Sequence, residues 1–134
     1  MLLAGIALAS AASFAGAAEP ASTPADVATL MTRDLGGIPG KEGLMLTVEY
    51  PPGGSSPPHR HDANVFVYVL EGSVIMQVEG KDAVTLRPGD TFYESPTDVH
   101  LKSANASQTE PAKILVVMVK DKGKPASRAV TAHH

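Results

Sequence analysis

The chain has no cysteine. That absence excludes disulfides, thiolate metal sites, a cysteine nucleophile and a lipid-modified cysteine anchor. Any metal must be held by nitrogen and oxygen ligands. A basic stripe is also missing: 11 Lys and Arg stand against 14 Asp and Glu, for a formal charge of -3. Such a balance argues against a nucleic-acid surface. The one loose basic group, Lys120, Lys122 and Lys124, reads as a solvated tail. No amphipathic helix stands out after residue 35 and no segment repeats, so 134 residues imply one domain with one core.

Charge is absent from the start as well. "MLLAGIALASAASFAGAAEP" carries none before Glu19 and ends in small residues. Ala15-Gly16-Ala17 fits a small-x-small cleavage site, so residues 1–17 read as a signal peptide, although a positive n-region is lacking. The rival reading, a membrane anchor, fits less well, because the stretch is short and rich in Ala and Gly. A periplasmic or secreted protein with no stable membrane anchor is the expectation.

What is present is a rhythm of turns. "GGIPGKEG", "YPPGGSSPP", "EGS", "EGKD", "RPGD", "SPTD", "NASQTEP" and "DKGKP" follow one another at short intervals. Between them lie β-prone runs: Leu44–Tyr50, Val65–Leu70, Val74–Val78, Val84–Leu86, Thr91–Tyr93, His100–Ser103 and Ile114–Val119. Short strands at this spacing predict an all-β, antiparallel sandwich or barrel. The expected layout is a signal peptide over 1–17, a linker or N-terminal arm over 18–33, a barrel over 34–122 and a flexible tail over 123–134. The run Val65–Leu70 is apolar on both faces, which predicts a strand buried on both sides and a homodimer to cover it.

Of the five histidines, His133 and His134 close the chain and read as disordered. His59 and His61 stand two apart, so in a strand they project to one face. Pro57 and Pro58 stiffen the approach to them. An H-x-H pair alone is also compatible with two solvated side chains in a polar loop. His100 follows 39 residues after His61, beyond the "LEGS" and "RPGD" turns.

With these residues in view, the sequence resembles the cupin family. The first cupin motif runs glycine, five residues, His-x-His, three or four residues, glutamate, six residues, glycine; Gly53, His59, His61 and Gly72 match it in register. The second centres on a Pro-Gly-Asp turn, here Pro88, Gly89 and Asp90, with a histidine eleven residues after the glycine, where His100 stands. The similarity covers roughly residues 44 to 120. Val65 occupies the motif's glutamate position, Ser95 and Thr97 replace its second proline and glycine, and Ala104 replaces its asparagine. The resemblance implies a single-domain double-stranded β-helix, or jelly roll, and a divalent metal on His59, His61 and His100.

A three-histidine site of this kind is similar to those of certain cupin dioxygenases that use non-haem iron. The metal is open among iron, zinc, copper, nickel and manganese, since imidazole suits several of them. Glu94, Asn64 and Gln77 are candidates for a further ligand or a supporting hydrogen bond. Their plainer readings are a surface carboxylate at a strand end, turn chemistry and strand polarity. Two functions stay open: a metal-dependent oxygenase acting on a small molecule, and a non-catalytic small-molecule binding module with or without metal. Fold alone does not choose between reactions.

Overall fold

Eleven strands order the computed structural model, which describes residues 22–131. They are β1 Asp26–Asp34, β2 Lys41–Tyr50, β3 Ser55–Ser56, β4 His59–Arg60, β5 Asn64–Glu71 and β6 Val74–Val78, then β7 Val84–Leu86, β8 Thr91–Glu94, β9 His100–Asn105, β10 Ala112–Asp121 and β11 Arg128–Ala129. No helix occurs among the described residues. All pairings between these strands are antiparallel.

Period-two alternation sets the inner surface. β2 buries Leu44, Leu46, Val48 and Tyr50. β10 buries Ala112, Ile114, Val116 and Met118 opposite them, in register from Lys41↔Asp121 to Tyr50↔Ala112. β5 flanks β10 with Val65, Val67 and Val69 inward, giving a five-stranded sheet of order β1-β2-β10-β5-β8. The second sheet runs β11-β4-β9-β6-β7, with β3 also paired to β9. Its Val74 and Met76 close the core from the other side. This is the jelly-roll arrangement the turn spacing and the motifs anticipate.

The hairpin between β5 and β6 turns at Gly72, where φ is +68° and a Cβ would lie 2.4 Å from the Pro111 carbonyl oxygen. No other residue fits both the left-handed backbone and that approach.

The structure departs from expectation in four places. The stretch read as an arm contains β1, which pairs along β2 from Asp26↔Glu49 to Asp34↔Glu42. The stretch read as a flexible tail contains β11, which pairs with β4 through Arg128↔Arg60 and Ala129↔His59. Lys120, read as solvated, is buried: β10 alternation turns it inward, and its ammonium donates to Glu42 Oε1 and to the Asp121 and Lys124 carbonyls. β5 is buried on one face only, since Phe66, Tyr68 and Leu70 point to the outside of the sheet and are exposed. Asn64 and Phe66 share that outer face, which sequence alternation alone cannot tell from the inner one.

Candidate metal centre

β4 and β9 meet at one register pair, His59↔His100. His61 follows β4 directly, and the ligating atoms of His59, His61 and His100 lie within 4.8 Å of one another. Phe92 stacks on the His100 ring at a centroid distance of 6.0 Å, which fixes its plane. Asp62, just after His61, adopts φ 51°, a left-handed turn that aspartate tolerates better than most side chains.

Hydrogen bonds set the tautomers. His59 Nδ1 donates to the Pro57 carbonyl at 2.7 Å, and His61 Nδ1 donates to the Ala126 carbonyl at 2.8 Å. Each ring therefore carries its proton on Nδ1 and a lone pair on Nε2. With both rings neutral, the two Nε2 atoms, 3.1 Å apart, have no proton between them. Two bare acceptors at that distance repel unless a cation sits against both. Nitrogens bound to one metal at about 2.0–2.1 Å, with angles of 90–110°, are separated by about 2.9–3.4 Å. The observed spacing falls in that interval. Burial also pushes the His59 pKa down, opposed by the Pro57 carbonyl and reinforced by its His61 and His100 neighbours, so the ring is held in its neutral, ligating form.

Glu94 completes the cluster. It is 2% exposed, so the reading of a surface carboxylate at a strand end is corrected: β8 alternation turns Glu94 inward. Its Oε1 lies 3.0 Å from His100 Nδ1 and its Oε2 lies 3.6 Å from His61 Nε2. The first distance is short but misaligned, and both atoms, with His100 Nε2, are buried without a hydrogen bond. Buried polar atoms normally find partners. Here Glu94 Oε1 and both ring nitrogens of His100 are orphaned beside the imidazoles of His59 and His61. The donor set suits a divalent cation.

The other two candidates do not join the cluster. Asn64 accepts a hydrogen bond from Tyr93 on the outer face, and Gln77 donates to the Lys81 carbonyl at its own turn. His133 and His134 lie outside the described residues. The sequence reading missed the tail's contribution. Ala126 supplies the acceptor for His61, and Arg128 grips Asp62 through Nε and Nη2. A backbone carbonyl leaves no signature in a sequence, so nothing in the tail's composition marks it.

Inside the barrel a cavity of about 350 Å³ opens beside the histidines. Its walls are the inward side chains of β2, β5, β6 and β10, and Tyr50 and Ser103 line it farther in. Pro57, Pro58, Ala126 and Ala129 also contribute to its lining.

Residues 46–118 match the family model described as "Cupin domain", so the chain belongs to the cupin family. A germin-like protein of Arabidopsis thaliana, subfamily 2 member 2, is 32% identical over 111 residues, covering 76% of this chain and 50% of that protein. An oxalate oxidase solved with the substrate analogue glycolate is 26% identical, with a TM-score of 0.52, over 57% of this chain and 41% of that one. A cupin-like protein of Thermotoga maritima shares the fold at a TM-score of 0.62, with 22% identity over 79% of this chain and 75% of its own. The chain spans half or less of the length of the curated relatives it matches.

Proposed function

We propose that this chain is a small metal-dependent cupin acting on a small molecule, with one divalent metal held by His59, His61 and His100. Glu94 serves as the oxygen ligand. The observation that carries the reading is the 3.1 Å approach of two Nε2 atoms whose Nδ1 protons are both committed elsewhere. Iron, zinc, copper, nickel and manganese all suit three imidazoles and one carboxylate, and the carboxylate makes the harder ions better guests than three imidazoles alone. When bound, such an ion supplies Lewis acidity, and for iron a site for dioxygen chemistry, at the edge of the cavity. The chain's own residues orient the rings, exclude water and shape the space for substrate. Similarity to germin-like and oxalate oxidase proteins supports the oxygen-dependent version of this reading.

A second reading has its own observation. Among the described lining residues, the one titratable group besides the four cluster residues is the Tyr50 hydroxyl, whose pKa burial pushes up. A site so poor in proton-transfer groups also suits a binding module that performs no reaction.

The same proposal places the protein in the periplasm or outside the cell after loss of residues 1–17, which lie outside the described residues. No helix among the described residues is long and apolar enough to cross a membrane. Elemental analysis of protein purified without added metal, followed by dioxygen-uptake screening of the iron form, tests the function. About one metal per chain that falls sharply in His59→Ala, His61→Ala and His100→Ala is expected. A metal-free protein that also refuses added metal would overturn the proposal, and stoichiometric metal without turnover would favour the binding module.

A further inference from the structure

The cavity beside the metal centre has a chemistry of its own. Strand register stacks it in layers. Glu94 faces Val65 across β8 and β5, and Val65 faces Met118 on β10. The next layer is Val67, Val116 and Leu46. Met76 and Ser103 pair across β6 and β9, and Tyr50 approaches them from β2. The space between is large, about 350 Å³. A dry apolar cavity of about 150 Å³ already holds benzene.

Charge is distributed one way only. Among the described lining residues Glu94 is the one carboxylate, and no lysine or arginine lines the cavity. The nearby buried ammonium, Lys120, is committed to Glu42 and two carbonyls. Arg60 is turned away, donating to the Thr97 carbonyl. The inner polar pair is also spent: Tyr50 and Ser103 hydroxyls bond to each other, and Ser103 Oγ contacts Met76 Sδ at 3.5 Å. One divalent ion and one carboxylate leave a single net positive charge for a ligand to answer. A second anionic group held beyond the metal's reach would be stripped of water among valines and methionines with no cation to meet it, which is costly.

We infer that this site selects a small molecule with one metal-binding oxygen head and an uncharged, apolar body that fills the barrel interior. The inference rests on the metal-centre reading for the head and on the cavity alone for the body.

Matched probes separate the two. Zinc-loaded protein is titrated by calorimetry with acetohydroxamate and benzohydroxamate. The two hydroxamates share one head, so their difference reports the body. Benzohydroxamate should bind about tenfold or more tighter than acetohydroxamate, because the phenyl group leaves water for an apolar wall. V116F, compared at matched zinc content, should erase the phenyl advantage. Equal affinity for the two hydroxamates overturns the inference. A metal-free arm covers failure of V116F to fold or of zinc to load: toluene added to the metal-free wild-type protein should shift the Met76 methyl resonance. No shift there would overturn the inference by itself. Failure to load zinc together with a toluene shift would refute the metal centre and leave the apolar cavity standing.

Discussion

Glu94 on β8 lies directly across the strand pair from Val65 on β5, and both side chains are buried on the inner face. Cross-strand partners have Cβ atoms about 4.5–5.5 Å apart, so the two positions overlook one site. The cupin motif has its carboxylate at the position of Val65; we propose that Glu94, one strand over, takes that part. A swap tests this. Glu94→Val should lower metal affinity by about tenfold or more, in line with loss of a charged ligand. Val65→Glu alone should lower the melting temperature of the metal-free protein, because two facing carboxylates repel. The double variant V65E/E94V should recover metal affinity. Competition against a chelating dye reads all three, and wild-type affinity in Glu94→Val would remove Glu94 from the shell.

The tail makes a second test, in which two contacts of unequal strength are pulled apart. Arg128 and Asp62 are both about half exposed, so water screens their ion pair and it contributes little. The Ala126 carbonyl, by contrast, fixes the His61 tautomer at 2.8 Å. Groups that orient a metal-ligating histidine in this way are typically worth about 10–100-fold in metal affinity. Arg128→Ala should therefore change affinity less than tenfold, whereas deletion of residues 125–134 should reduce it by about 10–100-fold. Equal effects of the two changes would mean that the latch, not the carbonyl, positions His61.

Much of this was legible in the sequence because it is carried by local pattern. Val74–Val78 and Val84–Leu86 appear as strands with the expected bounds, and the His-x-His and Pro-Gly-Asp spacings place three histidines that the fold then gathers. What escaped is set by tertiary contact. β1 has no buried residue, so no apolar alternation announces it; its backbone pairing with β2 defines it. β4 and β11 are two residues each, too short for any period. Glu94 was ambiguous because a strand-end carboxylate looks the same facing in or out; only its register with Val65 decides. Asn105, one residue late for the motif, is buried and donates to the Tyr50, Pro51 and Glu110 carbonyls, so it ties the opposite loops rather than the site.

Lys120 and Glu42 offer a pH test away from the histidines. The Lys120 ammonium holds the Glu42 carboxyl below its ordinary pKa, helped by the Gly123 amide against the cost of burial. A carboxyl with a lowered folded-state pKa binds fewer protons folded than unfolded. Its stabilising contribution is therefore complete above the ordinary value near 4.5 and is lost as pH falls through the folded value. Thermal melts of the wild type should show the midpoint falling in that acidic window. Lys120→Met leaves Glu42 without its cation, so it should melt lower than wild type at pH 7 and lose less on acidification. Parallel melting curves with a constant offset at every pH would show that the pair does not couple to protonation.

The outer face of the larger sheet makes the last prediction. Phe66, Tyr68 and Tyr93 are each about half exposed there, and Leu115 and Val117 lie beside them on β10. Apolar surface of this kind on one contiguous sheet marks an interaction site. We propose a second copy of the chain as the occupant. The centre of the face carries no charge, so two identical patches related by a two-fold axis meet without like-charge repulsion. The homodimer expected from the sequence would form on this face and cover β5, which is open in the single chain. Sedimentation at ~10 μM should show a dimer for the wild type, a concentration well above the dissociation constant of a stable interface of standard size. Phe66→Glu places a carboxylate opposite its own copy in the dimer and should give a monomer that still binds metal, because Phe66 points away from the histidines. A wild-type monomer, or a Phe66→Glu dimer as tight as the wild type, would place the partner surface elsewhere.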